Sequence, residues 1–291
     1  MLSGSIVALV TPMAADGAVH WQELDALIDW HIASGTAGIV PMGTTGESAT
    51  LAVEEHLQVI EATIKRVAGR VPVIAGTGAN STAEAIHQTQ EAQRLGADAC
   101  LLVTPYYNRP TQAGLVAHFE AIVKATQVPL VLYNVPPRTA CDMLPATVAE
   151  VARLDSVIGI KEACGDPERV AQLRAVVDSD FIILSGEDAQ TMRMAELGAV
   201  GAISVSANVI PQRMAEFCGA FLAGDLTKAK ALDATLQTVH DAMFVESSPQ
   251  PVKWALHQMG KISSGIRLPL LPLSESNQPV VKSALAEVGA L

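Results

Sequence analysis

The sequence is poor in aromatic residues and in positive charge. Aromatic side chains make up 4% of its 291 residues, so a hydrophobic core has to be built mainly from alanine, valine, leucine and isoleucine. The 19 lysines and arginines are outnumbered by 30 aspartates and glutamates, for a formal net charge of −11. This balance argues against a surface that binds nucleic acid or an anionic membrane. A hydrophobic fraction of 49% with only 17% charged residues also excludes a disordered chain.

Cysteine, histidine and long apolar runs are also scarce or dispersed. The cysteines, at positions 100, 141, 164 and 218, form no CxxC motif, so each is predicted to be a small buried hydrophobe. The seven histidines follow no HExxH pattern and no EF-hand loop is present, so no metal site is predicted. The apolar run at 6–10 is too short for a signal peptide, and no run approaches the ~18 residues of a membrane span. We expect a reduced, cytoplasmic protein of enzyme size.

Eight short apolar segments, each bounded by Gly, Pro, Asn or Ser, recur along the chain. Their continuous apolar character, without polar alternation, is typical of parallel strands that are covered on both faces. The segments between them have helical spacing, and several reach a glycine before the next strand, as helix C-termini prefer. The predicted strands are residues 5–10, 38–41, 72–75, 99–103, 130–133, 157–160, 181–184 and 200–204.

The alternation of eight strands with helices over about 210 residues predicts an α/β fold, a (β/α)₈ TIM barrel. A doubly wound open sheet is the alternative, but no GxGxxG motif follows the first strand. Beyond the eighth strand, helices are predicted at 211–222, 226–244, 251–259 and 278–288. We therefore expect a catalytic barrel at 1–224 with a C-terminal helical appendage, 225–291, packed on it, rather than two independent domains.

In such a barrel the catalytic residues lie at the C-terminal ends of the strands, and Lys161 occupies such an end. The apolar run 157–160 carries it directly out of a buried strand. A poorly solvated amine favours the neutral form, which is the form a nucleophilic, Schiff-base-forming lysine needs. The alternative is a lysine that caps the strand or pairs with Glu162 or Asp188.

Two tyrosines close the neighbouring fourth and fifth strands. Tyr107 and Tyr133 can therefore both reach the barrel mouth, and hydrogen bonds to Thr44 could join them into a proton relay, since a phenol both donates and accepts. Core packing is the alternative for each tyrosine. No GxxxxGK[ST] or GxSxG motif is present, which argues against phosphoryl transfer and serine hydrolysis.

Two features of the sequence could bind carboxylates. The turn Gly43-Thr44-Thr45-Gly46 offers backbone N–H groups and two hydroxyls at a strand end, although a plain tight turn explains the glycines equally well. Arg138 follows a Pro-Pro pair that stiffens its loop, and its planar guanidinium suits a second carboxylate. The alternative for Arg138 is an ordinary surface arginine.

Four motifs together resemble one enzyme family: GTTGES at 43–48, YYNRP at 106–110, YNVPPRT at 133–139 and GIKEA at 159–163. They are similar to the dihydrodipicolinate synthase (4-hydroxy-tetrahydrodipicolinate synthase) family of the N-acetylneuraminate-lyase-like class I aldolases, over essentially the whole chain. The resemblance implies a lyase that condenses pyruvate with L-aspartate-4-semialdehyde through a lysine Schiff base and enamine. The product would be 4-hydroxy-tetrahydrodipicolinate, in the first committed step of diaminopimelate and lysine biosynthesis. The resemblance also implies that the enzyme uses no metal and no cofactor beyond the covalent adduct, and that it is a homotetramer built as a dimer of dimers.

The resemblance also assigns catalytic roles. Lys161 would form the Schiff base, and Tyr133 would be the general acid and base beside it. Thr44 and Tyr107 would complete the proton relay, with Tyr107 reaching from the neighbouring subunit at an interface region that includes Tyr106.

Substrate binding is assigned in the same way. Thr45 and Ile203 would hold the carboxylate and enamine region of pyruvate. Arg138 would bind the carboxylate of aspartate semialdehyde, and Gly186 would also belong to the substrate-binding residues. Sialic-acid lyases usually have a Ser-Thr pair and no arginine at these positions. A sugar-acid aldolase, an N-acetylneuraminate lyase or a non-catalytic keto-acid-binding paralogue are the alternatives.

A regulatory site for L-lysine is the last implication of the resemblance. Asn80 and Glu84 are four residues apart on a predicted helix and can face one ligand together. Val53 departs from the histidine found in many inhibited members, and ordinary interface contacts are the alternative explanation. The matching residues are Ser48, Ala49, His56, Asn80, Glu84 and Tyr106.

Overall fold

The computed structural model describes residues 2–291, and its eight strands form a closed parallel barrel. Neighbouring strands pair in the order β2-β1-β8-β7-β6-β5-β4-β3. A parallel bridge between Ile39 and Val73 closes the ring between β2 and β3. The predicted (β/α)₈ barrel is therefore confirmed. The strands are β1 Gly4–Ala8, β2 Gly38–Val40, β3 Ile74–Gly76, β4 Ala99–Val103, β5 Leu130–Asn134, β6 Val157–Glu162, β7 Ile182–Ser185 and β8 Gly201–Ser204.

Helices follow the strands and surround the barrel. The last four agree within two residues with the helices predicted for the C-terminal part, and the predicted boundary at 224/225 falls between α9 and α10. No helix within residues 2–291 is long and apolar enough to cross a membrane. The helices are α1 Trp21–Ala33, α2 Val53–Val67, α3 Thr82–Leu95, α4 Gln112–Ala125, α5 Pro136–Thr139, α6 Pro145–Val151, α7 Arg169–Arg174, α8 Thr191–Glu196, α9 Pro211–Leu222, α10 Leu226–Ala242, α11 Gln250–Gln258 and α12 Gln278–Glu287.

The apolar strands bury side chains on both faces, in two separate clusters. The inner cluster fills the barrel and includes Ile6, Ile74 and Leu184. The outer cluster packs the strands against the helices and includes Ile39 and Leu102. Fully burying each such side chain contributes roughly 1.5–3 kcal/mol. A continuous apolar run without alternation is what this double burial requires.

The C-terminal region is attached to the barrel mouth by polar contacts. Lys253 of α11 forms a buried ion pair with Glu47, which directly follows the turn after β2. Arg267 donates two hydrogen bonds of 2.7 Å to the carboxylate of Glu55 and one of 2.7 Å to the carbonyl of Gly17. These contacts join the helical appendage to the loops that form the mouth.

Candidate active site

A cavity at the C-terminal ends of the strands brings most of the predicted site together. Of the eight catalytic and substrate-binding residues predicted from the sequence, seven line it. They come from the turn after β2, from β5, α5, β6 and β8, and from the residue that follows β7. The seven residues are Thr44, Thr45, Tyr133, Arg138, Lys161, Gly186 and Ile203.

Lys161 is buried on the inner face of β6, beside Tyr133 of β5. The two residues are register partners in the sheet, and the Lys161 amine lies 4.3 Å from the centroid of the Tyr133 ring. Only 5% of Lys161 and 7% of Tyr133 is exposed. A Cβ atom at Gly186 would lie 2.8 Å from Lys161 Cε, so this glycine leaves the space that the lysine side chain occupies.

The structure does not pair Lys161 with either carboxylate considered from the sequence. Glu162 points away from the mouth and accepts hydrogen bonds from Asn134 at 3.0 and 3.2 Å. Asp188 accepts the backbone N–H groups of Val205 and Ser206 at 2.9 and 2.8 Å. Within residues 2–291 the Lys161 amine therefore forms no ion pair, and it remains directed at the cavity.

The Thr44–Thr45 turn presents backbone N–H groups to the same cavity. A short 3₁₀ helix spans Thr44–Gly46, closed by a 3.0 Å hydrogen bond from the Gly46 N–H to the Gly43 carbonyl. Its first N–H groups, like those at the start of any helix, have no intrahelical acceptor. Met42, just before it, has a left-handed φ of 57°, a strained conformation for a residue with a side chain. The turn is thus built to hold N–H donors at the mouth.

Tyr107 differs from the expectation that it enters the mouth of its own barrel. Its side chain is 90% exposed, and its φ of 71° belongs to the left-handed region. The loop is held by Asn80, which donates to the Tyr106 carbonyl at 3.2 Å, and by Asn108, which donates to the Asn80 carbonyl at 2.8 Å. This local turn directs Tyr107 away from the cavity, a placement that strand-end position alone does not reveal.

The cavity also includes residues that sequence reasoning missed. Glu187 follows Gly186 directly and is half-buried, and burial raises the pKa of its carboxyl group, an effect that nearby Lys161 and Arg138 oppose. Its position at the end of a predicted strand was a usable signal. Phe244 and Ser248 line the cavity as well. Because they come from the C-terminal region, no local pattern connects them with the mouth.

A second cavity, of about 390 Å³, adjoins the first and shares Thr44 and Arg138 with it. It falls within the range of small-molecule sites. Five of the six residues predicted for a lysine site line it: Ser48, Ala49, His56, Glu84 and Tyr106. The sixth, Asn80, contacts the Tyr106 backbone instead. Burial lowers the pKa of His56, whose Nε2 lies 2.7 Å from the Gly76 carbonyl.

Next to Lys161 in β6, Glu162 is a fully buried carboxyl group. Burial raises the pKa of Glu162 to about 7, although nearby Arg169 and the hydrogen bond from Asn134 oppose the shift. Arg169 itself is engaged with Asp142 at 2.9 Å. Glu162 directly follows Lys161 in β6, so ionisation of Glu162 places a negative charge in the strand that carries the amine.

This raised pKa predicts a pH dependence of stability. Between about pH 4.5, the ordinary value for a glutamate, and about pH 7, Glu162 keeps its proton in the folded protein but loses it in the unfolded chain. Its contribution to stability is therefore present below about pH 4.5 and is lost as pH rises through about 7. Relative to Glu162→Gln, the free energy of unfolding of the wild type should fall across this range. Urea unfolding of both proteins at several pH values measures the difference, and a constant difference would contradict the expectation.

The (β/α)₈ barrel therefore places a buried lysine amine against a tyrosine at its C-terminal mouth, which is the arrangement that a Schiff-base-forming lysine requires. The chain belongs to the dihydrodipicolinate synthetase family, whose family model matches residues 1–288. This confirms the family expected from the motifs. A 4-hydroxy-tetrahydrodipicolinate synthase of Alcanivorax borkumensis is 54% identical over 291 residues, which are 100% of this chain and 99% of that protein.

Solved structures agree with this membership over the full chain. The crystal structure of the chloride-inhibited dihydrodipicolinate synthase of Acinetobacter baumannii, complexed with pyruvate, is 49% identical, has a TM-score of 0.98 and matches 100% of both chains. The structure of the enzyme from Cyanidioschyzon merolae with lysine bound is 35% identical, with a TM-score of 0.96 and 99% of each chain covered.

Proposed function

We propose that this protein is a lyase that condenses pyruvate with L-aspartate-4-semialdehyde to give 4-hydroxy-tetrahydrodipicolinate. The observation that carries the proposal is the Lys161 amine, buried on the inner face of β6 against Tyr133 and without an ion-pair partner in residues 2–291. Such an amine is available as a nucleophile. The membership in the dihydrodipicolinate synthetase family supports the same reaction.

In the proposed mechanism Lys161 attacks the keto carbon of pyruvate, and water leaves as the Schiff base forms. Tyr133, whose ring lies beside the Lys161 amine, would carry protons to and from this centre, and Thr44 lines the same cavity. The N–H groups of the Thr44–Thr45 turn would hold the pyruvate carboxylate, with Ile203 and Gly186 shaping the pocket around it. Loss of a methyl proton from the Schiff base then gives the nucleophilic enamine.

The second half of the reaction would use Arg138. Its guanidinium, exposed at the cavity and without a side-chain partner in residues 2–291, suits the carboxylate of aspartate semialdehyde. The enamine attacks the aldehyde carbon, and ring closure by the substrate's amine displaces Lys161 and releases the product. No metal or separate cofactor enters this scheme, because the covalent adduct on Lys161 supplies the electron sink.

The proposal is tested by substrate comparison with a covalent readout. The protein should consume pyruvate with aspartate semialdehyde faster than with N-acetylmannosamine or glyceraldehyde. Borohydride reduction in the presence of pyruvate should add the pyruvate mass at Lys161. Faster turnover with a sugar aldehyde would favour a sugar-acid aldolase or N-acetylneuraminate lyase, and an adduct without turnover would indicate a keto-acid-binding protein.

The quaternary structure belongs to the same proposal. In a homotetramer built as a dimer of dimers, the exposed Tyr107 of one subunit would complete the proton relay of its neighbour, together with Thr44 and Tyr133. The 90% exposure of Tyr107 in the single chain supports this role. We propose a cytoplasmic location, in keeping with four free cysteines in the described chain.

We further propose that L-lysine inhibits the enzyme from the second cavity. Glu84 lines this cavity together with His56, and its carboxylate accepts a 3.0 Å hydrogen bond from Gln88. We propose that the same carboxylate also accepts hydrogen bonds from an ammonium group of the bound lysine. The lysine-bound structure from Cyanidioschyzon merolae supports a lysine-binding site in this family. Val53 lies at the first position of α2, outside this lining.

Lysine inhibition leads to a specific expectation. Millimolar L-lysine should reduce the wild-type rate, and Glu84→Gln should raise the half-inhibitory concentration about tenfold, because a charged hydrogen bond contributes roughly 1.5–3 kcal/mol. Initial rates at fixed substrate concentrations measure both effects. An unchanged wild-type rate at millimolar lysine would remove the proposal.

A further inference from the structure

Glu187 places a carboxylate at the barrel mouth that has no hydrogen-bond or ion-pair partner within the described residues 2–291. The backbone of this residue is fixed: its N–H donates to Ser185 Oγ at 3.2 Å, and its carbonyl accepts from Ser185 Oγ at 3.0 Å and from Thr191 Oγ1 at 3.1 Å. Within residues 2–291 its side-chain oxygens, in contrast, accept no hydrogen bond and form no ion pair. The side chain is half-buried and lines the same cavity as Lys161 and Arg138.

The half-buried Glu187 carboxylate is not among the fully buried unsatisfied groups, so its oxygens are open to the cavity. Burial costs free energy because water is removed from the charge, and hydrogen bonds normally compensate that cost. Neighbouring Asp188 shows the usual solution, since it accepts two backbone N–H groups. Glu187 has only the more distant charges of Lys161 and Arg138 to offset its burial. Its free oxygens are therefore available to a ligand that brings cationic donors.

The proposed second substrate has such a group next to its carboxylate. Aspartate semialdehyde carries an ammonium and a carboxylate on the same carbon, so the two charges must be received at neighbouring points of the site. Arg138 offers the positive charge and Glu187 the negative one, and both line one cavity with the Lys161 amine. A sugar aldehyde would present neutral hydroxyls to this charge pair.

We propose that Glu187 is a specificity-determining residue that binds the ammonium group of the amino-aldehyde while Arg138 binds its carboxylate. This inference rests on the proposed function and refines it. A site whose carboxylate is paired only by an ammonium discriminates against an aldehyde that lacks the amine, because the half-buried charge then stays without a cation. Glu187 would thus select the amino acid semialdehyde from aldehydes of the same length.

The test compares two aldehydes that differ only in the amine. Glu187→Gln should lower kcat/KM for aspartate semialdehyde about 10- to 100-fold, the range expected for a charged hydrogen bond. The inhibition constant of succinate semialdehyde, which has the same chain without the amine, should change less than about twofold, since it makes no contact that the substitution removes. Glu187→Asp, which keeps the charge, should recover part of the lost kcat/KM. Glu168→Gln removes an equally charged but exposed carboxylate and should leave every value unchanged.

Three outcomes would overturn the inference. Equal weakening of both aldehydes would show that Glu187 acts on the shape of the site or on Arg138. An unchanged kcat/KM would show that it does not contact the substrate. Loss of the borohydride-trapped pyruvate adduct in Glu187→Gln would show that it acts on Lys161. Failure of the proposed function is seen separately, as a wild type that forms the adduct but does not turn over aspartate semialdehyde.

Discussion

Lys161→Ala should abolish the pyruvate adduct that borohydride traps and should reduce turnover by about 10³-fold or more, because it removes the proposed nucleophile, on which both halves of the proposed reaction depend. Intact-mass spectrometry after borohydride reduction measures the adduct, and a product assay with aspartate semialdehyde measures the rate. The fold should survive, since the Lys161 amine forms no ion pair in residues 2–291, and the nearby Glu187 carboxylate is only half-buried and keeps the charge of Arg138.

The matched control is Lys282→Ala, an exposed lysine of α12 on the helical appendage. This variant should keep both the adduct and the rate of the wild type. An adduct of undiminished yield in Lys161→Ala would mean that another amine reacts with pyruvate. Such a result would show that Lys161 does not form the Schiff base, although it lies at the barrel mouth.

Lys161 could be predicted from the sequence because its environment is encoded locally. The run 157–160 is apolar throughout, so the strand is buried on both faces, and the next residue has to emerge at its C-terminal end. The same reasoning located all eight strands, since each is a short apolar run between turn residues. The four C-terminal helices could be predicted equally well, because the apolar periodicity that indicates a helix is a local pattern.

Other parts of the site depend on contacts that no local pattern contains. The direction of Tyr107 is set by a left-handed backbone and by hydrogen bonds to Asn80, 28 residues before Asn108. The buried pair of Glu47 and Lys253 joins positions 206 residues apart. Such pairings follow from the closed topology of the barrel, and single residues in the sequence do not reveal them.

The pair of Glu47 and Lys253 leads to the largest expected effect on stability. The Glu47 side chain is 0% exposed and that of Lys253 5%. Burial lowers the pKa of Lys253, while the Glu47 carboxylate opposes that shift. Lys253→Met would leave the Glu47 charge buried without its cation, and breaking one partner of a buried pair costs about 3–5 kcal/mol. Urea unfolding of the wild type and the variant measures this loss of unfolding free energy.

The double variant Glu47→Gln/Lys253→Met separates the buried charge from the loss of packing. Its glutamine keeps an acceptor for the Arg267 N–H, which donates to Glu47 at 3.0 Å, and it carries no charge, so most of the lost stability should return. A double variant no more stable than Lys253→Met would show that the lysine stabilises through its methylene chain instead. Because Glu47 has a φ of 60° and directly follows the Thr44–Gly46 turn, the single variant should also weaken pyruvate binding. The ion pair would then connect the C-terminal helices to the N–H groups that we propose hold the substrate's carboxylate, and the appendage would influence substrate binding at the mouth.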